Sequence, residues 1–173
     1  MRSLVAAALL SLAASAHALD GVSLVYGEGN HVGVYAVEVR SGDWRRWQLG
    51  ESWRLSAYGV GSVAYWRARE ESAHKELWDF AIAPVLRLER PREGVVPYFE
   101  ASLGGHLLSK RQINGNREFS TAFQFGEFVG AGLLFGPRQD VGLGLRLQHV
   151  SNGGIKNPNP GLTFVSIALQ YRF

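Results

Sequence analysis

Long runs of alternating apolar and polar side chains, repeated along most of the chain, constrain its fold more than any other feature. Successive side chains of a strand point to opposite faces, so each run has one apolar face and one polar face. Eight such runs, separated by turn signals, occupy about 20–27, 31–41, 54–68, 76–89, 95–109, 119–135, 140–151 and 162–173. In the fourth, Trp78, Phe80, Ile82, Leu86 and Leu88 oppose Asp79, Arg87 and Glu89. In the fifth, Val95, Phe99, Ala101, Leu103 and Leu107 oppose Tyr98, Glu100, Ser102 and His106. In the seventh, Val141, Leu143, Leu145 and Leu147 oppose Gly142, Gly144, Arg146 and Gln148. In the eighth, Val165, Ile167, Leu169, Tyr171 and Phe173 oppose Ser166, Gln170 and Arg172. The first three are less regular, although Glu38, Arg40 and Arg54 also avoid the apolar face.

Most runs reach the roughly 9–11 residues that a strand needs to cross a bilayer. A soluble barrel would carry a dense, Lys-rich charged face outside. Here the polar face is glycine, serine and scattered charges of both signs, which suits a narrow lumen. The even strand number and the aromatic C-terminal residue, Phe173, fit the same architecture. The prediction is an all-β protein, an eight-stranded antiparallel transmembrane β-barrel with a packed polar interior. Eight strands leave room inside only for side chains, so Arg54, Asp79, Arg87, Glu100 and Arg146 should form an ionic network and not a pore. With both termini in the periplasm, the connections near 28–30, 69–75, 110–118 and 152–161 lie on the cell exterior. The turns near 42–53, 90–94 and 136–139 then lie inside.

The N-terminus stands apart from this pattern. A basic start at Arg2, an apolar run from Leu4 to Ala14 and the Ala16-His17-Ala18 cleavage pattern predict a secretory signal peptide over residues 1–18. A single barrel domain over 19–173 remains. Export without any cysteine excludes disulfides and cysteine chemistry. The chain has 18 basic residues, Arg2 among them, against 15 acidic ones, too small an excess to point to nucleic acid. His31, His74 and His106 fall on different elements, so no metal site is expected. Gly130 and Gly132 lie within a strand, not in a nucleotide-binding loop.

The leucine face of the seventh run ends in two polar residues. His149 and Ser151 are two apart, so their Cα atoms sit roughly 6.7 Å from each other on one face. Their side chains can therefore lean into hydrogen-bonding distance, as an activated serine requires. A lone His-x-Ser pair is also an ordinary polar fringe where an apolar face ends. The longer run decides more. His149-x-Ser151-Asn152-x-Gly154-Ile155-Lys156-x-Pro158-Asn159-x-Gly161, with Pro97 to Ala101 and Ala122 to Glu127, closely resembles the signature of the outer-membrane lipid A 3-O-deacylases, the PagL family. The resemblance covers essentially the whole mature chain. It implies a serine hydrolase site on the outer wall of an eight-stranded barrel, which cleaves the 3-hydroxyacyl ester at position 3 of lipid A without a cofactor. It further implies Ser151 as nucleophile, His149 as general base, the Gly154 N–H and the Asn159 side chain as oxyanion hole, and Asn152 as the shaper of the turn. Lipid A (lipopolysaccharide) as partner and a homodimer are implied too.

One position departs from the pattern. The family's carboxylate falls at Thr163, twelve residues after Ser151 and on the outward face of the last strand. A hydroxyl there can fix the histidine tautomer but cannot carry the charge that stabilises an imidazolium. The alternative acid is Glu127. If the turn Gly136-Pro137-Arg138-Gln139 pairs Phe135 with Asp140, Glu127 comes beside Gln148 and His149. Alternation puts it on the apolar face with Phe125, Val129 and Leu133. A bulge at Gly126 would turn it into the lumen instead, and that structural role is the one favoured from sequence. Arg67, Arg69, His74, Lys75, Lys110, Arg111, Arg117 and Lys156 are candidates for lipid A phosphates. Three functions remain open: the lipid A esterase, a barrel esterase or acyltransferase acting on another lipid, and a catalytically impaired structural or lipopolysaccharide-binding barrel.

Overall fold

The computed structural model describes residues 19–69, 75–114 and 117–173; the expected signal peptide and His74 lie outside the described residues. The strands are β1 (Leu19–Gly29), β2 (Val32–Ser41), β3 (Arg45–Leu49), β4 (Trp53–Ala68), β5 (Glu76–Glu89), β6 (Val96–Leu108), β7 (Gln112–Ile113), β8 (Arg117–Glu118), β9 (Phe123–Phe135), β10 (Val141–Ser151) and β11 (Leu162–Arg172). Eight of them run in the order β2-β1-β11-β10-β9-β6-β5-β4, and pairing of β2 with β4 closes the ring. All these pairings are antiparallel. Closure leaves no free edge among these eight strands, the condition for strands to stand in hydrocarbon.

Burial is inside-out, as expected of a barrel that spans a bilayer. Along β10, Leu143, Leu145 and Leu147 are exposed while Gly142, Gly144 and Arg146 are buried. The same alternation exposes Phe80 and Ile82 on β5 and Val165, Ile167 and Leu169 on β11. Inside, Glu100 takes hydrogen bonds from Arg87 at 2.8 Å and Arg146 at 2.8 Å. Arg146 also pairs with Glu38 at 2.8 Å, and Arg87 reaches Gln170 at 2.6 Å. The Arg87 guanidinium lies over the Tyr98 ring, and Arg54 pairs with Glu89. Of the expected network, Arg87, Glu100 and Arg146 are joined, with Glu38 added, while Arg54 with Glu89, and Asp79 with His106 at 2.8 Å, form separate pairs.

The polar interior does not extend the full height of the barrel. Towards the end that carries the connection 152–161, the lumen is filled by an apolar cluster that includes Trp66, Leu77, Leu108, Ile113, Phe119, Val150, Leu162 and Phe164. Trp66 packs edge-on against both Phe119 and Phe164. The expected packed polar interior thus fills the rest of the barrel, and this apolar plug closes one end. Phe119 reaches it from the connection before β9, and Ile113 from the short β7–β8 hairpin.

Two further expectations change. The segment 42–53 is not a simple turn: β3 continues along β4, pairing Arg45 with Ala57 through Leu49 with Trp53. All five residues of β3 are exposed, while its β4 partners 54–57 also pair with β5, so β3 alone extends past the closed ring. Around the turn at 136–139, Phe135 pairs with Val141 and not with Asp140. From there β9 and β10 run in unbroken register to Ser151↔Phe125, with no bulge at Gly126. Gly126 faces inward, where a Cβ would stand 2.1 Å from His106 Nε2. Glu127 consequently faces outward and is exposed; the lumenal role favoured from sequence is not what the fold builds.

Candidate active site

Strand β10 delivers His149 and Ser151 to the outer wall next to the connection 152–161. The register sets His149 directly opposite Thr163 on β11 and opposite Glu127 on β9. Glu127, His149 and Thr163 thus form one row across three strands, with His149 in the middle. Its Nδ1 lies 2.9 Å from Thr163 Oγ1. Thr163 is itself held by its backbone N–H, which donates to Asn30 Oδ1 at 3.2 Å.

The other ring nitrogen and Ser151 both border Gly161, with no hydrogen bond between them in this conformation. A Cβ placed on Gly161 would lie 3.0 Å from His149 Nε2 and 3.4 Å from Ser151 Cβ. Gly161 has φ of 57°, a conformation side chains disfavour, and the absent Cβ is what leaves the ring and the serine a common space. If Nδ1 donates to the Thr163 hydroxyl, Nε2 is left as the lone-pair acceptor of the ring. That arrangement suits a histidine that takes a proton from a serine.

Past Ser151 the chain turns through Gly153 and Gly154, at φ of 65° and 81°. The Gly153 N–H points at Ser151 Oγ from 3.4 Å. The Gly154 N–H, expected to be free as an oxyanion donor, donates to Asn152 Oδ1 at 2.9 Å in this conformation. Asn159 Oδ1 accepts the Asn152 backbone N–H at 3.0 Å, which fixes the amide and leaves its NH2 end as a donor. Asn152 is buried, and its Nδ2 donates to Ser120 Oγ at 2.8 Å and to the Lys156 carbonyl at 2.7 Å.

Ser120 is a residue that sequence reasoning missed. Its hydroxyl donates to the Lys156 carbonyl at 2.7 Å, and its backbone N–H reaches the Pro158 carbonyl at 3.3 Å. It thereby ties the connection 152–161 to the segment before β9. Arg117 does the same from β8, donating to the carbonyl of Gly161 and, at 3.5 Å, to that of Pro160. Its Nη1 is engaged by these two carbonyls. No local motif marks either residue; only their arrival from a distant segment reveals them.

Two hollows in the wall flank the site, and a larger third lies elsewhere. Directly below the row, an apolar groove of about 390 Å³ runs over Val129, Ala131, Leu145, Leu147 and Val165. On the neighbouring wall, Arg67, Arg69 and Lys75 share a cleft of about 400 Å³ with Gly33, Tyr26 and Tyr35. Arg69 also pairs with Glu28 at 2.7 Å. A larger furrow of about 1000 Å³ over β2, β4, β5 and β6 is almost wholly apolar and lies away from Ser151. Size alone therefore does not mark the chemistry here.

A closed barrel with an apolar exterior and a Ser–His pair on its outer wall defines a class: barrel proteins equipped to act on lipid beside them. Residues 31–172 match the model of the lipid A 3-O-deacylase (PagL) family, and the chain belongs to that family. The lipid A deacylase PagL of Bordetella bronchiseptica is 33% identical over 154 residues, covering 88% of this chain and 83% of its relative. The Pseudomonas aeruginosa lipid A deacylase PagL is 33% identical over 165 residues, covering 94% and 92% of the two chains. The crystal structure of the outer membrane enzyme PagL superposes with a TM-score of 0.77 at 25% identity, covering 88% of this chain and 99% of that one.

Proposed function

We propose that the chain is an outer-membrane esterase that removes the ester-linked 3-hydroxyacyl chain at position 3 of lipid A, with Ser151 as nucleophile and His149 as general base. One observation carries the reading. The His149 ring is bracketed, Nδ1 by Thr163 Oγ1 at 2.9 Å and Nε2 by the space it shares with Ser151 at Gly161. Family membership and two lipid A deacylases at 33% identity support the substrate. The reading includes export by a cleaved signal peptide, residues 1–18, and a barrel of residues 19–173.

In the first step Ser151 Oγ attacks the ester carbonyl carbon while its proton passes to His149 Nε2. The carbonyl oxygen becomes an oxyanion beside the Asn159 NH2 and the Gly153 N–H, with the Gly154 N–H joining once it leaves Asn152 Oδ1. Gly153 is the one already aimed at Ser151 Oγ. Hydrogen-bond donors fixed in advance usually stabilise the transition state of acyl transfer more than any other single device. Collapse breaks the bond to the sugar O3, which takes the proton from Nε2 and leaves an acyl-serine. Water then attacks that ester, losing a proton to Nε2. The second collapse returns the proton to Ser151 Oγ and frees the 3-hydroxy fatty acid.

A site on the outer wall meets its substrate without drawing it out of the membrane. Lipid A lies in the outer leaflet, with its esters at the depth of the polar rim. The groove over Val129, Leu145 and Leu147 suits the departing acyl chain. The cleft of Arg67, Arg69 and Lys75 suits a phosphate on the headgroup.

Expression of the native chain and of S151A in a Gram-negative host, with mass spectrometry of lipid A, tests the reading. The expected result is the loss of one 3-hydroxyacyl group with the native chain only. Unchanged lipid A with both chains favours the second reading, a silent lipopolysaccharide-binding barrel, which the threonine at 163 keeps in play.

A further inference from the structure

A triad acid has two tasks: it orients the histidine through Nδ1, and it stabilises the imidazolium formed when the serine proton arrives. Thr163 can perform the first, since its hydroxyl bonds Nδ1 at 2.9 Å. It is neutral and cannot perform the second. We propose that Glu127 performs the second from the opposite side of His149, so that one acid's work is divided between two residues. This rests on Ser151 and His149 being the hydrolytic pair.

The sheet register brings the two residues together. Glu127 and His149 are directly opposed between β9 and β10 and share the outer face. Opposed side chains in an antiparallel pair have Cβ atoms about 4.5–5.5 Å apart, within reach of a carboxylate acting on an imidazolium. Along its own strand Glu127 lies between Phe125 and Val129, and across β6 it faces Leu103. A carboxylate in such an apolar row is costly unless something compensates it. Among the described residues Glu127 has no ion-pair or hydrogen-bond partner, and His149 is its one titratable neighbour in the row.

The other groups around the ring do not supply that charge. From β11 it meets the neutral Thr163, and on β10 its neighbours Gln148 and Ser151 are neutral. On β1, Glu28 is tied to Arg69. Among the described residues of β8 and the connection 152–161, the charged groups are Arg117, held on the Gly161 carbonyl, the exposed Lys156 and the exposed Glu118. Among the described residues, Glu127 is the anion that shares the row with the ring.

The test is deacylation kinetics on the full-length barrel in lipopolysaccharide–detergent micelles, with folding of every variant checked by heat-modifiable gel mobility. E127Q keeps shape and polarity but removes the charge; kcat should fall about 30- to 100-fold with KM unchanged. E127D keeps the charge on a shorter stem and should stay within about threefold of the native rate. The E127Q/T163E double variant returns a carboxylate to the other side of the ring and should recover most of the lost kcat. A structural role for Glu127 would not be rescued from across the histidine. Equal rates for native and E127Q, equal losses in E127Q and E127D, or a folded double variant no faster than E127Q would each overturn the proposal. An inactive native chain overturns the parent reading together with it, which separates the two failures.

Discussion

The two faces of β10 treat charge in opposite ways. On the inner face Arg146 is buried and held by Glu38 and Glu100, each at 2.8 Å, and Glu100 in turn holds Arg87. On the outer face, a few residues further along, His149 has one hydrogen bond to a neutral hydroxyl, and Glu127 stands beside it without a partner among the described residues. Inside, closing the ring over low-dielectric space required every charge to be matched. Outside, charge is left incompletely matched until a proton moves. The interior network holds the wall together, and the outer row is the one proposed to carry chemistry.

If that division holds, variants on the two faces should fail in different measurements. The largest effect falls on stability. Arg146→Ala strands Glu38 and part of the Glu100 network, and should cost about 3–5 kcal/mol in a denaturant or heat titration of the barrel. Its deacylation rate, measured well below the transition, should change little by comparison. Gly161→Ala is the converse. Its Cβ would enter the space between His149 Nε2 and Ser151 Cβ, and a misplacement of about 1 Å can cost about 10²-fold in rate. Its heat-modifiable mobility should match that of the native chain. Were Gly161→Ala to lower stability as much as rate, the outer row would be part of the structural frame and the contrast would blur.

The fold was legible because a bilayer outside and a narrow lumen inside demand strict alternation. The leucines of β10 and the Val165–Ile167–Leu169 face of β11 could satisfy that demand in only one way. What escaped the pattern lies where the demand lapses. β3 has no buried face, so Arg45-Arg46-Trp47-Gln48-Leu49 reads as a polar connection although it is paired along its length. The apolar plug draws Phe119 and Ile113 from connections and Trp66 and Phe164 from the inward faces of strands. Inward aromatics break the rule that made the strands readable.

The candidate site was legible to a similar depth. His149, Ser151 and Thr163 stand together because their spacing within and across β10 and β11 is set by alternation and a short connection. The turn at 136–139 pairs Phe135 with Val141, one residue beyond the partner expected. That small shift, without any bulge, decides that Glu127 faces His149 on the outside. Ser120 supports the loop from 32 residues before Asn152 in the chain. A contact that depends on the folding of two connections against each other leaves no periodic trace.

The central claim is that Ser151, activated by His149, is the nucleophile of this wall. Intact-protein mass spectrometry after brief exposure of the folded barrel to a fluorophosphonate tests it most directly. One adduct is expected, mapping to Ser151, absent from S151A and strongly slowed in H149A. An adduct on another serine, or deacylation of lipopolysaccharide that persists in S151A, would contradict it.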